Sequence, residues 1–204
     1  VNPQIFKPLF LIFFMREFIY YSGRARTSGN FDTSELMRAG RMDIVCNVII
    51  SALFLSHKMR EDVHLHLIFM GQPTPPRHLE FVSNKDMPIS KKDVAGLIKV
   101  MLYKCREDER REIFPGCFVE KKSFQQLVRE LENEGKKIYL LDKKGRDIRE
   151  LKDKELENSI FVIGDEEGFS KKEIKRFKDK ISVGPEIYFA SQTLTILNNE
   201  IDRR

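Results

Sequence analysis

The sequence predicts an α/β protein built on a mostly parallel sheet flanked by helices, and three observations predict it. Short apolar runs of strand length alternate with stretches of helical period along most of the chain. Two late runs, Ile160-Phe-Val-Ile-Gly164-Asp-Glu-Glu-Gly168 and Lys180-Ile-Ser-Val-Gly184-Pro185, pass directly from apolar strand into glycine. Open α/β sheets bind ligands at the carboxyl ends of their strands, where glycine lets a ligand lie against bare backbone. Finally, 41% hydrophobic and 33% charged residues in a chain of 204 supply the core of one domain under a solvated surface.

The first strand is expected at Arg16–Ser22, followed by the polar loop 23–31. Residues 42–58 carry apolar side chains at Ile44, Val45, Val48, Ile49, Ala52 and Leu55, a helical period. Val63–Met70 reads as a strand that Gly71-Gln-Pro-Thr-Pro-Pro76 ends, and Leu79–Val82 as half of a hairpin. Ser90 is expected to cap a helix running to Lys104, with Asp93 three residues on, and Cys117–Val119 reads as a short strand. Ser123 starts a helix through Glu134 that Gly135 closes. Lys137–Asp142 is expected as strand, 147–157 as weak helix, and Ser191–Asp202 as a final helix with a stripe of Leu194, Ile196, Leu197 and Ile201. The domain is expected to span 15–204. Residues 1–14 read as an N-terminal extension, because Pro8–Phe14 is far shorter than the ~20 residues of a membrane span and lacks a signal-peptide cleavage site. No membrane partner is expected.

Net charge is +5 and unevenly spread. Arg16, Arg24, Arg26, Arg38 and Arg41 crowd residues 16–41, and six cations fall within 171–180. Clustered cations favour a polyanion, nucleic acid above all, although the 171–180 run reads equally as a solvated helix face. Cys46, Cys105 and Cys117 have no metal-ligand spacing and point to a reducing compartment, read as cytoplasmic. Of His57, His64, His66 and His78, the second and third share one strand face. The alternation allows a zinc pair there but favours a structural role, and no metal is expected. Phosphate loops, nucleophile elbows and His-Glu-x-x-His are absent, which disfavours nucleophilic hydrolysis and metalloprotease chemistry.

The arrangement strand–Gly164-Asp-Glu-Glu-Gly168, short helix, strand–Ser182-Val-Gly-Pro185 and C-terminal helix resembles the SPOUT methyltransferases. That resemblance implies a C-terminal deep trefoil knot, bound S-adenosylmethionine and a homodimer. Arg16-Glu-Phe-Ile-Tyr-Tyr-Ser-Gly-Arg-Ala-Arg-Thr-Ser-Gly-Asn-Phe31, Gly40-Arg-Met-Asp-Ile-Val-Cys46 and Ser56–Val63 are similar to the archaeal tRNA (pseudouridine-54) N1-methyltransferase family within that class. The resemblance places Leu140 and Gly164 against the adenosine, with Val183, Gly184, Pro185, Glu186, Ile187 and Tyr188 as the wall around it. Thr193 stands where related proteins often have cysteine, and Val183, Ile187 and Phe189 read equally as ordinary core.

Methylation at N1 of pseudouridine requires that N1 lose its proton, so a carboxylate near N1 is expected. Asp43 is the leading candidate through the Arg41-Met-Asp43 element, which resembles the ribosomal relatives; its alternative is to cap the following helix. Glu186 is the second candidate. Arg24, Arg26, Arg41 and Arg60 are the expected RNA contacts, with Thr27, Ser28 and Asn30 adding hydrogen-bonding groups in a loop expected to be flexible. The tRNA reading stands beside three others: a ribosomal RNA substrate, a catalytically silent RNA-binding knot, and an α/β protein for another adenine nucleotide.

Overall fold

Runs of Val, Ile and Phe flanked by turn residues become strands of a single sheet in the computed structural model, which describes residues 15–107, 109–165 and 169–204. The expected extension 1–14 and the Gly168 turn lie outside the described residues. The strands are β1 (Arg16–Ser22), β2 (Val63–Phe69), β3 (Arg77–Val82), β4 (Arg111–Phe114), β5 (Cys117–Glu120), β6 (Lys137–Asp147), β7 (Ser159–Gly164) and β8 (Asp179–Ser182). Their order across the sheet is β4-β5-β3-β2-β1-β7-β6-β8. From β2 through β8 every pairing is parallel, while β3, β5 and β4 add an antiparallel edge.

Six α-helices accompany the sheet: α1 (Met42–Leu53), α2 (Val94–Lys104), α3 (Phe124–Asn133), α4 (Asp153–Leu156), α5 (Lys171–Ile174) and α6 (Ala190–Asp202). Alternation along β1 sends Phe18 and Tyr20 to one face and Ile19 to the other. The first face packs under α1, α2 and α6, with Leu65, Leu67, Phe161 and Leu194 in its core. The second receives Phe124, Leu127 and Leu131 of α3 over Ile19, Ile160 and Val162.

Several elements differ from expectation for identifiable reasons. Helix α1 ends at Leu53 rather than 58, because the chain folds back, with Leu55 N donating to Lys58 O at 2.8 Å and Arg60 N to Leu53 O at 2.7 Å. Asp93, not Ser90, is the N-cap of α2. Strand β4 was missed because Arg-Glu-Ile-Phe is too short and polar to announce itself, and it exists by pairing with β5. The weak helix 147–157 resolves into a 3-10 turn at Ile148–Glu150 and the single turn of α4. Ser123 behaves as expected: Gln126 N donates to its Oγ at 3.2 Å while Ser123 N donates to Gln126 Oε1, a reciprocal cap.

At the C-terminal edge, Leu141 and Arg146 of β6 both pair with Ile181 of β8, so residues 142–145 loop out around that strand. Beyond β8 the chain returns to lay α6 on α1, and Arg16 Nη1 reaches Asp202 Oδ1 at 2.8 Å across 186 residues. The first strand and the last helix are thus joined at the amino end of the sheet, leaving its carboxyl end open.

Candidate functional site

The carboxyl ends of β7 and β8 and the 140–144 stretch of β6 meet around a cavity of about 490 Å³. Leu140, Gly164, Val183, Gly184, Glu186, Ile187, Tyr188 and Thr193 all line it; Pro185 is exposed within the same turn. Its floor is apolar, from Leu140, Ile163, Ile181 and Phe169, and its rim is polar, with Lys180 Nζ donating to Asp142 Oδ2 at 2.9 Å. The turn after β8 is held by Ser182, whose Oγ donates to Gly184 O at 2.7 Å and accepts from Gly184 N at 3.1 Å. A cavity of this size with an apolar floor, a few polar groups and bare backbone at two strand ends suits an adenosine with a charged tail. Ile187 and Phe189 are 80% and 74% exposed, so neither is core, and the wall of this cavity presents apolar surface to its surroundings.

Asp165, one residue past Gly164, was not singled out from the sequence. It lines the cavity, and its Oδ2 accepts from Gly23 N at 2.8 Å and Ser22 Oγ at 3.1 Å. Ser22 Oγ in turn accepts from Ala25 N at 3.0 Å. The carboxylate therefore fastens the end of β7 to the root of the arginine loop. The only sequence signal for this was an acidic residue directly after a strand-ending glycine.

That loop is not flexible, contrary to expectation. A Cβ on Gly40 would lie 1.8 Å from Arg24 O and one on Gly71 2.1 Å from the same atom, so the Arg24–Ala25 backbone is clamped between two glycines. Thr27 completes the clamp: its Oγ1 donates to Gly71 O and accepts from Thr74 N, both at 2.9 Å. Ala25 and Thr27 are buried while Arg24 is exposed, so a fixed frame presents the guanidinium to solvent. Arg26 is half-buried, and its Nε has no hydrogen-bond partner.

Arg41 and Asp43 form a two-pronged pair at the start of α1, Nε to Oδ1 and Nη2 to Oδ2, each 3.1 Å. Asp43 does not cap the helix, as its alternative reading held. The N-cap is Arg41, in a left-handed backbone without a side-chain cap, and Asp43 falls in the first turn. Tyr20 marks how near these groups lie: burial pushes its hydroxyl pKa up, and the charges of Asp165 and then Asp43 push it further. Cys46 is likewise raised to about 12, by burial and by Asp43. The cavity and the Arg41–Asp43 pair thus converge on the end of β1.

Arg60 lies elsewhere. Its side chain is 8% exposed and its Nη1 donates to Asp202 Oδ1 at 2.7 Å, in the cluster that also holds Arg16. Burial and pairing remove it from the surface an RNA could reach. Within the cationic run, Lys180 is paired with Asp142, whereas Arg176 and Lys178 rim a second cavity of about 470 Å³ beside Phe124 and Phe177.

Residues 15–204 match the family profile described as "Putative SAM-dependent RNA methyltransferase". The chain is 35% identical over 196 residues to the tRNA (pseudouridine(54)-N(1))-methyltransferase of Methanococcoides burtonii, covering 93% of this chain and 96% of that protein. The enzymes of the same name from Methanococcus aeolicus and Methanocaldococcus jannaschii are each 34% identical, with 93% of this chain and 98% of theirs covered. In fold, the chain is similar to Archaeoglobus fulgidus Nep1 bound to S-adenosylhomocysteine, at TM-score 0.63 and 15% identity over 93% of this chain and 98% of that one.

Proposed function

The chain belongs to the SAM-dependent RNA methyltransferase family that its residues 15–204 match, and from that premise we propose that it methylates N1 of pseudouridine at position 54 of tRNA. Relatives matched over nearly their whole length carry that activity in their names, which favours tRNA over ribosomal RNA. Asp165 carries the reading structurally: it lines the cavity, and its carboxylate holds the base of the arginine loop. One residue joins the pocket for the methyl donor to the surface for RNA.

S-adenosylmethionine, when bound, supplies a methyl group on a positively charged sulfur. Leu140, Gly164 and the 183–188 turn hold the nucleoside part, with Thr193 closing the cavity from the first turns of α6. Asp43 accepts the N1 proton as the base is alkylated, and Arg41 fixes its carboxylate from one side through the two-pronged pair. Glu186, exposed on the cavity rim, is the second candidate for that proton. Arg24 and Arg26 meet phosphates of the T-loop, whose pseudouridine must leave its stack to be methylated.

A homodimer belongs to this proposal, supported by the exposed Ile187 and Phe189 beside the cavity. A reducing, cytoplasmic setting is supported by three free cysteines. Among the described residues no helix is long and apolar enough to cross a membrane.

Methyl incorporation into tRNA transcripts that differ only in uridine or pseudouridine at position 54 tests the substrate. Labelling of the pseudouridine transcript alone is expected, and equal labelling of both overturns the specificity. Calorimetric titration with S-adenosylhomocysteine tests the cavity separately.

A further inference from the structure

The sheet face that α3 covers with apolar side chains continues toward the amino end of β1 as a polar cluster. Alternation along β1, β2, β3 and β5 places Glu17, His64, His66, His78, Glu80 and Glu120 there together. The His64 and His66 rings lie 4.1 Å apart and the His66 and His78 rings 5.1 Å apart. Glu17 Oε1 is 3.4 Å from His64 Nδ1 and 3.2 Å from His66 Nε2. Behind these, His64 Nε2 meets Glu80 Oε1 at 2.7 Å, His66 Nδ1 meets His78 Nε2 at 2.9 Å, and His78 Nδ1 meets Glu120 Oε1 at 2.9 Å.

Counting protons shows what is odd about this cluster. Four hydrogen bonds join the three imidazoles to carboxylates or to one another, and each needs one proton between its two atoms, because carboxylates only accept. Three neutral imidazoles carry one proton apiece, so the cluster is one short, and His64 Nδ1 faces Glu17 Oε1 at 3.4 Å with no proton left for it. An additional proton makes up the difference, and so does one divalent cation held between Glu17 and the two histidines.

We propose that Glu17, His64 and His66 form a binding site for a first-row divalent metal ion, zinc by its ligand set, through Glu17 Oε1, His64 Nδ1 and His66 Nε2. The three candidate ligand atoms lie within 4.8 Å of one another. The two measured separations of 3.4 and 3.2 Å are the edges of a tetrahedron with metal–ligand bonds of ~2.0–2.2 Å. Metal then replaces the proton in the His66–Glu17 contact and bridges the His64–Glu17 gap, and the remaining three hydrogen bonds use one proton from each neutral imidazole. His64 donates to Glu80, His66 to His78, and His78 to Glu120, the outer hydrogen bonds that ligating histidines ordinarily make.

The surroundings agree. Lys136 Nζ takes the other Glu17 oxygen at 2.8 Å, leaving Oε1 as a single ligand, and Arg110 Nη2 holds Glu80 Oε2 at 2.7 Å. His64, 23% exposed in its side chain, gives the ion a way in. The site lies at the opposite end of β1 from the cavity, so its role is to cross-link β1 and β2 rather than to assist methyl transfer.

The test uses the whole chain after exhaustive chelation. Cobalt(II) is added as a spectroscopic probe and zinc(II) as the competitor. One cobalt per chain, visible absorption bands of tetrahedral nitrogen–oxygen coordination, their loss on adding zinc, and a higher melting temperature with zinc are expected. Glu80→Gln, which removes only an outer partner, should weaken cobalt binding 10–100-fold, and Glu17→Gln should abolish it with circular dichroism unchanged. Absence of the cobalt bands together with an unchanged melting temperature overturns the proposal and leaves a cluster bridged by protons alone. Unaltered cobalt affinity in Glu17→Gln overturns it as well. Neither the chelated parent chain nor its titration depends on any variant folding.

Discussion

The two ends of β1 are both crowded with charge, and they use it in opposite ways. At the amino end, Arg16, Arg60, Asp62 and Asp202 neutralise one another, with both arginine side chains only 8% exposed. At the carboxyl end, Arg41 and Asp43 are paired yet about one-third exposed, Arg24 faces solvent, and a cavity opens beside them. A buried charge pair is costly to disturb. A half-exposed pair on a rigid frame lies within reach of a substrate. The contrast separates Arg60 and Arg41, equivalent as isolated arginines in the sequence, into a buried residue and one that a substrate can reach.

The largest effect expected from breaking this contrast is at Asp43. Asp43→Asn removes the proposed proton acceptor while keeping the size of the side chain, and turnover should fall ~10²–10⁴-fold, the range for a general base. Methyl incorporation at saturating tRNA measures it, alongside S-adenosylhomocysteine affinity, which should hardly change. Full activity in this variant would mean that Asp43 serves only to position Arg41.

Asp202→Ala probes the other end. It leaves buried Arg60 without its carboxylate while Arg16 keeps Asp62, and should cost about 1.5–3 kcal/mol of stability by urea denaturation. Cofactor affinity of the folded fraction should be unaffected. A loss below about 1 kcal/mol would show that the cluster behaves as a surface pair.

Acid titration gives an effect of similar kind at Glu17. Its pKa falls from 4.5 to about 2 on folding, since the hydrogen bonds of His66 and Lys136 overcome burial. A depressed carboxylate stabilises the fold above the unfolded value and loses that stabilisation as pH drops through 4.5 toward 2. In chelator-treated protein this carboxylate should contribute about 3 kcal/mol at neutral pH. Glu17→Gln should flatten the stability curve across that window, and an identical curve would place the acid sensitivity elsewhere.

The smallest effect concerns Arg24. Arg24→Ala should weaken tRNA binding modestly and reduce the slope of log affinity against log salt by about one, the signature of one lost phosphate contact. An unchanged slope assigns the phosphate contact to a different cation.

Legibility in the sequence followed the range of the interactions. Strands β1, β2 and β7 are dense in Phe, Ile and Val, and the reciprocal cap at Ser123–Gln126 spans three residues, so both were readable. Strand β4 owes its existence to β5 and was not. The arginine loop looked flexible because Thr27, Ser28, Gly29 and Asn30 are turn formers. Its rigidity comes from Gly40 and Gly71, which close on it from distant segments. The cavity residues were readable because they cluster in three strand ends, whereas the role of Asp165 depends on Ser22 and Gly23, more than 140 residues away.

Local periodicity and glycine placement by themselves determined the alternation of strands and helices, the mostly parallel sheet, and the end of it that holds a ligand. Those features rest on backbone preference and on which side chains avoid water, and both act over a few neighbouring residues. Tertiary structure alone decided which charges are spent on one another. Arg16 finds Asp202 at a separation of 186 residues, Arg60 finds it at 142, and Glu17 finds His66 at 49. Whether an arginine meets RNA or a carboxylate, and whether three histidines share protons or a metal, depends on side chains that only the folded sheet brings within 3 Å or so of each other, where hydrogen bonding and burial set the outcome.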